Sequence, residues 1–475
     1  MVWLRKKGMM PKLALAAALL MVFTALPAVS RAESHPQAEV LTLEKALSLA
    51  AEKHPLVRAS QSSGKSKELA LARSEAAYAP KLAVSLRPLS VSNVDGETKV
   101  EVGESITVNG SVSSVQGLGL LASNRFESGG RESRGLSLGA QLQLWPPARY
   151  NGEYLNLLAA EEAVDLFVYQ QRQAQQEAVI DIYSRYRTLQ VEAARLRLYE
   201  EEYQAKQAAY DRVVGKAEQG LASAVEVLTA QQAKEESWAE YQRAQRDYRI
   251  KLRAFLADLS LEEGTWELQP LPEALKLPKV ETTLEEAVAM AQQADVTLLE
   301  QMQALKAAQR QVEAARAASG PEVSIGARVS FPEDQQWNGT YEAYLSFSYS
   351  VFDGGIRQLD VKEAELKLDS AEEAVKKRRS EISREVESKL SEIQYLADKV
   401  NIASLNYEKT ALEHNAKVLQ AANGLIPESE AKESARLLAA AKLNWFEAAV
   451  ALEKARLEFM AMTGQAVDVE GGYPD

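Results

Sequence analysis

The chain has 475 residues, with 67 acidic side chains against 55 Lys and Arg, three histidines, no cysteine and a formal net charge of −12. An acidic balance of this size argues against nucleic acid as a partner. The absence of cysteine excludes a disulfide framework, a thiolate metal site and a lipidated cysteine at a mature N-terminus.

The first residues read as a signal peptide over 1–32. Arg5, Lys6, Lys7 and Lys12 precede an apolar core from Leu13 to Val22, and Ser30-Arg31-Ala32 supplies a small-residue cleavage site. A retained anchor is the alternative; Pro27 and the small residues after it favour cleavage. Removing this segment takes away five basic residues (Arg5, Lys6, Lys7, Lys12, Arg31) and no acids, which moves the net charge from −12 to −17. After Ala32 no apolar run reaches the ~18 residues that a spanning helix needs, so any segment that crosses a membrane must be β.

The mature chain reads as two copies of one plan, 33–270 and 271–475. Thr42-Leu43-Glu44-Lys45-Ala46 matches Thr283-Leu284-Glu285-Glu286-Ala287, and Ala76 to Pro80 matches Ala317 to Pro321, both at an offset of 241. Further on, Gly220-Leu221 with Glu226 matches Gly424-Leu425 with Glu430, and Phe255 matches Phe459, at an offset of 204. The first copy is therefore longer by 37 residues. The Gly, Ser and Val-rich stretch of about 94–131 is the natural place for the surplus, read as an inserted loop or hairpin.

In chain order, Leu43 to Lys53 is a short amphipathic helix with Thr42 as N-cap, and Pro55 opens a helix that ends before Pro80. A strand region follows, then a very long helix from about Gly152 to Val214, a turn at Gly220, and a helix from Ala222 to Leu259. The second copy repeats this, with helices at 283–319, 354–422 and 427–463. Ile182, Leu189, Leu196, Tyr203 and Tyr210 recur every seven residues, as do Val386, Ile393, Val400 and Tyr407. A strict period of seven means left-handed supercoiling against a neighbour. The two shorter helices of each copy together match the length of the long one, so they stack end to end along it.

Four segments alternate apolar with small or polar residues: Leu82 to Leu86, Leu136 to Leu144, Val323 to Phe331 and Tyr341 to Val351. A soluble sheet also alternates. Here the helices use their apolar stripes on each other, which leaves lipid to cover four strands, with Trp145, Tyr341 and Tyr349 placed as interfacial aromatics. An open four-stranded sheet in lipid leaves edge N–H and C=O groups unsatisfied, so chains must combine; two would give eight strands and three would give twelve. Arg87, Gln141, Gln143, Arg328 and Glu342 fall on the opposite, lumen-side positions, among small residues such as Ser324, Gly326, Ser346, Ser348 and Ser350, so that nothing large enough to fill the lumen points inward.

Val351-Phe352-Asp353-Gly354-Gly355-Ile356-Arg357 resembles the strand-to-helix turn of the outer membrane efflux (TolC) family. Asp353 can cap the long helix while Gly354 and Gly355 let the backbone turn. The first copy has Trp145-Pro146-Pro147-Ala148-Arg149 there instead. The second resemblance is a tip motif, Gly220-Leu221-Ala222-Ser223 with Glu226 and Gly424-Leu425-Ile426-Pro427 with Glu430. Ser223 with Glu226 is also a capping box, and Pro427 suits a first helical turn.

The resemblance implies a mostly helical protein with a β-barrel part, in which four strands per chain join a shared barrel in a homotrimer. It implies a passive export duct in the outer membrane that meets a periplasmic adaptor and an inner-membrane pump. The docking residues carried over are Gly220, Leu221, Ala222, Ser223, Gly424, Leu425, Ile426 and Pro427. Asn423, Glu428, Glu430, Lys432 and Arg436 are gate candidates. No cofactor or metal is implied.

Two rival readings remain at this point. Only His35, His54 and His414 are available for catalysis, and no nucleophile set, zinc spacing or phosphate loop accompanies them, so an enzyme is disfavoured. A secreted coiled-coil structural or adhesive protein with a small soluble sheet would explain the leader, heptads and acidity.

Overall fold

A computed structural model describes residues 39–87, 90–94, 97–101, 104–128, 135–262, 266–272, 282–332 and 339–466. The expected signal peptide lies outside the described residues.

Within each half, two short helices precede a very long one and a fourth returns along it. In the first half these are α1 (Leu43–Lys53), α2 (Pro55–Ala76), α3 (Gly152–Glu218) and α4 (Ala224–Asp258); in the second, α5 (Leu284–Ala294), α6 (Val296–Ala318), α7 (Ile356–Ala422) and α8 (Glu428–Met462). Helices α3 and α7 each have 67 residues, and α4 and α8 each have 35. At 1.5 Å per residue the long ones reach roughly 100 Å. Helices α2 and α4 both pack on α3, and α6 and α8 both pack on α7, so each half is a two-stranded rod.

The local signals explain most boundaries. The Thr42 side chain accepts from the Lys45 N–H, and Thr283 forms a full capping box with Glu286. The single expected helix over 283–319 is two helices, because Asp295 interrupts it. The Asp295 backbone is extended, and its carboxylate accepts the Leu298 N–H at 2.6 Å and the Arg378 guanidinium at 2.8 and 3.2 Å. That ion pair ties the start of α6 to the middle of α7.

The heptad stripes are the core. Ile182 and Leu189 of α3 are buried with Phe255 and Leu256 of α4 and with Leu43, Ala46 and Leu47 of α1. Val386, Ile393 and Val400 of α7 are buried with Leu452, Ala455 and Phe459 of α8 and Ala287 of α5. Toward the tips the stripe turns aromatic, with the Tyr203 and Trp238 rings 4.8 Å apart. A short parallel ribbon, β1 (Glu39–Leu41) with β8 (Trp266–Leu268), joins the start of the first half to the linker. The Tyr186 hydroxyl donates to the Leu41 carbonyl at 2.7 Å, and the Gln190 amide donates to the Gln269 and Pro270 carbonyls at 2.6 and 3.2 Å. Those buried polar groups hold linker and ribbon against α3.

The sheet departs from expectation in its strand count. The four expected strands are present as β2 (Lys81–Arg87), β7 (Gly135–Trp145), β9 (Glu322–Pro332) and β10 (Thr340–Ser348). Two more, β5 (Glu104–Ser113) and β6 (Leu118–Ser128), come from the insertion and lie between β2 and β7, giving the order β10-β9-β7-β6-β5-β2. The insertion thus forms sheet rather than a projecting loop. Its alternation is diluted in sequence by Gly110, Leu121 and Asn124, which is why it reads as irregular. Between β2 and β5, β3 (Ser90–Val94) and β4 (Glu97–Glu101) form a separate hairpin that straddles the start of the insertion, at the end of the sheet away from the helices.

Helix α8 ends at Gly464 (φ +71°), where an added Cβ would lie 2.7 Å from the Ala294 Cβ at the end of α5. Gly464→Ala is expected to cost about 2 kcal/mol or more, through left-handed strain and overpacking together. Gly220→Ala shares the positive φ and meets nothing within 4 Å, so it is expected to cost only ~1–2 kcal/mol. Chemical denaturation of the two purified variants checks the difference.

Candidate functional site

Two surfaces fall outside the core: the sheet and the two helical tips.

In a sheet, residues paired in register share a face. One face carries Leu82 and Val84 of β2, Val108 and Val112 of β5, Leu118 and Leu120 of β6, Leu138 and Leu142 of β7, Ile325 and Val329 of β9, and Leu345 and Phe347 of β10. Among the described residues no helix covers it. Leu82 is 74% exposed and Leu345 69%, far beyond scattered surface apolars.

The other face is polar. Gln141 and Gln143, expected at the lumen, both lie on it; the Gln141 amide donates to the Ser324 hydroxyl at 3.2 Å, and Ser123 and Ser137 share a hydrogen bond of 2.6 Å. Arg328 and Glu342 are register partners on this face, while Arg87 pairs in register with Ser105 at the far end of β2. This face is not uniformly small. Tyr344 lies over Gly326, where a Cβ would come within 2.4 Å of the ring, and the ring borders a polar hollow of about 260 Å³ with Asn109, Ser123, Gln141 and Arg328. The expectation that nothing large points inward fails at Tyr344, which pairs with a glycine and so finds room.

Both tips are closed by one motif. The Gly220 and Leu221 N–H groups donate to the Ala217 and Lys216 carbonyls at 2.9 and 2.8 Å; the Gly424 and Leu425 N–H groups donate to the Ala421 and Gln420 carbonyls at 2.9 Å each. This is the Schellman ending, in which the left-handed residue (φ +73° at Gly220, +71° at Gly424) is normally glycine. The same ending closes α4, where Leu261 occupies the position of Leu221 and packs against the core. At the tips that leucine is left in solvent, with Leu221 72% and Leu425 74% exposed. Helix capping accounts for the glycines and leaves the leucines unexplained.

Ser223 and Glu226 form the expected capping box. The Ser223 N–H donates to the Glu226 carboxylate at 2.6 Å and the Glu226 N–H to the Ser223 hydroxyl at 3.2 Å. Ala222 is half-buried beside them. Pro427 is the N-cap of α8 rather than part of its first turn, and Ile426 before it is half-buried.

The gate candidates separate. Asn423 is the C-cap of α7, and Glu428 pairs with Lys432 at 2.9 Å on the exposed first turn of α8, where Glu430 also sits. Arg436 instead pairs with Glu433 and lines a groove between α8 and α3 with Arg195, Tyr199 and Glu202.

At the strand-to-helix turn Gly354 and Gly355 have φ of +69° and +85°. Gly355 is the formal N-cap, with no side chain to serve. Asp353 serves in its place, accepting the Arg357 N–H at 3.1 Å and the Gly355 N–H at 2.9 Å. Those backbone hydrogen bonds, Arg357 first, hold its carboxyl below the ordinary aspartate value. In the first half the Pro147 region makes a short turn and Asn151 caps α3 through the Glu153 N–H at 3.4 Å. Sequence reasoning passed over Asn151, although an Asn before Gly-Glu is a recognisable start signal.

Among the described residues no helix is long and apolar enough to cross a membrane, and no cluster of His, Cys, Asp and Glu could hold a metal.

The Ser223 backbone N–H, then its hydroxyl, lower the Glu226 carboxyl below its usual range. A lowered folded value stabilises the tip above the ordinary glutamate pKa, and that contribution is lost as pH falls through the folded one. Ser223→Ala is therefore expected to speed amide exchange in the first turn of α4 several-fold at neutral pH. A smaller effect is expected once Glu226 is protonated in acid, where only the hydroxyl's bond from the Glu226 N–H is lost, and the α3–α4 body stays protected at both. Residue-resolved hydrogen exchange at the two pH values checks this.

Residues 287–465 match the family model described as outer membrane efflux protein. No curated protein sequence matches the chain. Among solved structures, it resembles the outer membrane protein VceC from Vibrio cholerae (14% identity, TM-score 0.58, 90% of this chain and 97% of that one). It also resembles the Campylobacter jejuni CmeC outer membrane channel (14%, 0.61, 89% and 85%) and the open state of the Neisseria gonorrhoeae MtrE outer membrane channel (16%, 0.58, 89% and 89%). Two of these relatives, CmeC and MtrE, are channels. Over about nine-tenths of its length the chain has the fold of these outer-membrane proteins.

Proposed function

We propose that the chain is the outer-membrane exit duct of a multi-part export system. It is read as a passive conduit made of three copies, with the sheets joined into one lipid-embedded barrel and the rods forming a tunnel through the periplasm. Residues 1–32 are read as a signal peptide, and 33–270 and 271–475 as two structural repeats. The observation that carries the reading is the uncovered apolar face of the sheet, because a soluble adhesive protein would bury it.

A second uncovered surface supports assembly. The buried stripe of α7 faces α8, yet Leu405, Leu412 and Leu419, spaced by seven, are all exposed. An unused heptad seam of this kind fits a helix of another copy. The solvent-facing leucines at the tips fit the third element of the reading, a periplasmic adaptor that docks there and links the duct to an inner-membrane pump. Asn423, Glu428, Glu430, Lys432 and Arg436 are proposed to contribute to a closed-end gate.

Purified oligomer is expected to need detergent for extraction and to conduct in planar bilayers, with Glu430→Ala raising open probability. Leu221→Asp with Leu425→Asp is expected to abolish export in cells while leaving bilayer conductance within about twofold of wild type. A stable monomer in plain buffer, or no conductance under any condition, overturns the proposal.

A further inference from the structure

The insertion holds a property that the family fold does not supply. We infer that each copy contributes six strands to the membrane wall rather than four, so that three copies close an eighteen-stranded barrel with a lumen wider than twelve strands would enclose. The inference rests on the channel reading above.

Three observations carry it. The first is the pairing itself. All seven residues of β2 pair with β5, ten residues of β5 pair with β6, and eight of β6 pair with β7. β2 has no hydrogen-bonded contact with β7, so removing the inserted hairpin from the wall would open the sheet. The turn between β5 and β6 is fixed at the helix end of the sheet, where the Gln143 N–H donates to the Gly117 carbonyl at 3.2 Å and Ser114 bonds Leu118 and Gly117. The hairpin therefore spans the height of its neighbours.

The second is the face pattern. In register, Val84 pairs with Val108, Val112 with Leu120, Leu118 with Leu142 and Ala122 with Leu138. On the opposite face Asn109 pairs with Ser123 and Ser123 with Ser137. The hairpin thus carries the apolar face of β7, β9 and β10 across to β2 without a change of side. If lipid covers Leu138 and Ile325, it also covers Val112 and Leu120. A hairpin folded into the lumen as a plug would present its apolar side chains to water.

The third is closure. The strands alternate in direction from β10 to β2, so the two open edges run antiparallel. The β2 edge of one copy can therefore pair with the β10 edge of the next, and a head-to-tail contact of this kind closes a ring. Six strands also suit the layer beneath. At ~4.8 Å spacing and about 40° tilt, six strands take up roughly 38 Å of circumference and four only ~25 Å. Four helices abreast at ~9 Å take up about 36 Å. Barrel diameter grows roughly in proportion to strand number, and sixteen to eighteen strands leave an aqueous channel.

The chain has no cysteine, so single cysteines can report the environment directly. Leu120→Cys and Val112→Cys test the lipid face of the hairpin, Asn109→Cys its lumen face, and Leu345→Cys the lipid face of an expected strand. Each is made in the full-length protein, reconstituted in vesicles and exposed to a small membrane-impermeant maleimide, with rates normalised to the denatured chain. Labelling at 112, 120 and 345 is expected to be at least tenfold slower than at 109.

Fast labelling at 120 with slow labelling at 345 overturns the six-strand wall and leaves the channel reading standing. Slow labelling at both 109 and 120 places the hairpin inside protein and also overturns the inference. Fast labelling at both 120 and 345 overturns the channel reading itself. Loss of the detergent-extracted oligomer in a variant is met by replacing that position with Leu121→Cys (lumen face) or Leu138→Cys (lipid face), for which the same rates are expected.

Discussion

Everything above the helices follows from a sheet with one apolar face that its own chain cannot cover. Leu82, Val84, Leu120, Leu345 and Phe347 are exposed, and the helices that could shield them are engaged elsewhere. The buried side chains of α3 face α1 and α4, and those of α7 face α5 and α8. At about 25 cal/mol per Å² of apolar surface, leaving such a face in water is costly. Hydrocarbon removes that cost, and it imposes another, because each unpaired backbone group at an edge in lipid costs several kcal/mol. The face demands a membrane, and the membrane demands that the two edges meet partners.

The rods meet the opposite requirement, rigidity over a long reach. Helices of 67 residues owe most of their stability to packing of an apolar stripe rather than to intrinsic propensity. They are held by a seam that changes character along its length: aliphatic in the middle, aromatic toward the first tip, and crossed by polar ties at the level of the linker. Tyr186 and Gln190 tie the ribbon and the chain after it to α3, and the Arg378–Asp295 pair sits where α5 and α6 abut; each satisfies backbone or side-chain polar groups that would otherwise be stranded. Where a rod ends, backbone geometry repeats closely. Four helices finish in the same glycine-type turn, and only at α4 does its one non-glycine member, Ser260, take the left-handed position.

The helical plan was legible because its signals are periodic and long. Heptads fix pairing, Thr42 and Thr283 fix starts, Gly220 and Gly424 fix turns, and each gives the same answer in both halves. The sheet was legible only where alternation runs unbroken, as from Leu136 to Leu144. In β6, Leu121 stands on the polar face and Asn124 on the apolar one, so the period fails locally even though pairing on both sides holds the strand in place. The ribbon of β1 and β8 has three residues per strand, too few for any period. Asp295 was hidden for a different reason: a single acid inside an alanine-rich helix looks like surface until Arg378 is known to lie beside it. The exposed seam of Leu405, Leu412 and Leu419 went unread because one heptad stripe was already assigned to α7, and a helix that serves two neighbours needs two.

The two halves differ mainly in what they contribute to the sheet. Their helices match in length at the tips, yet among the described residues only the first half carries an extra hairpin in the sheet. A helix pair presents fixed knobs to its neighbours, so adding a helix would force the rods to repack. An antiparallel sheet tolerates an added hairpin more readily, since two strands inserted together preserve the alternation of direction and face on both sides. The inner turn of the new hairpin needs no helix below it and rests on the Gln143 backbone at the end of β7. The sheet can therefore change width by strand pairs while the tips, roughly 100 Å away along α3 and α7, keep one geometry.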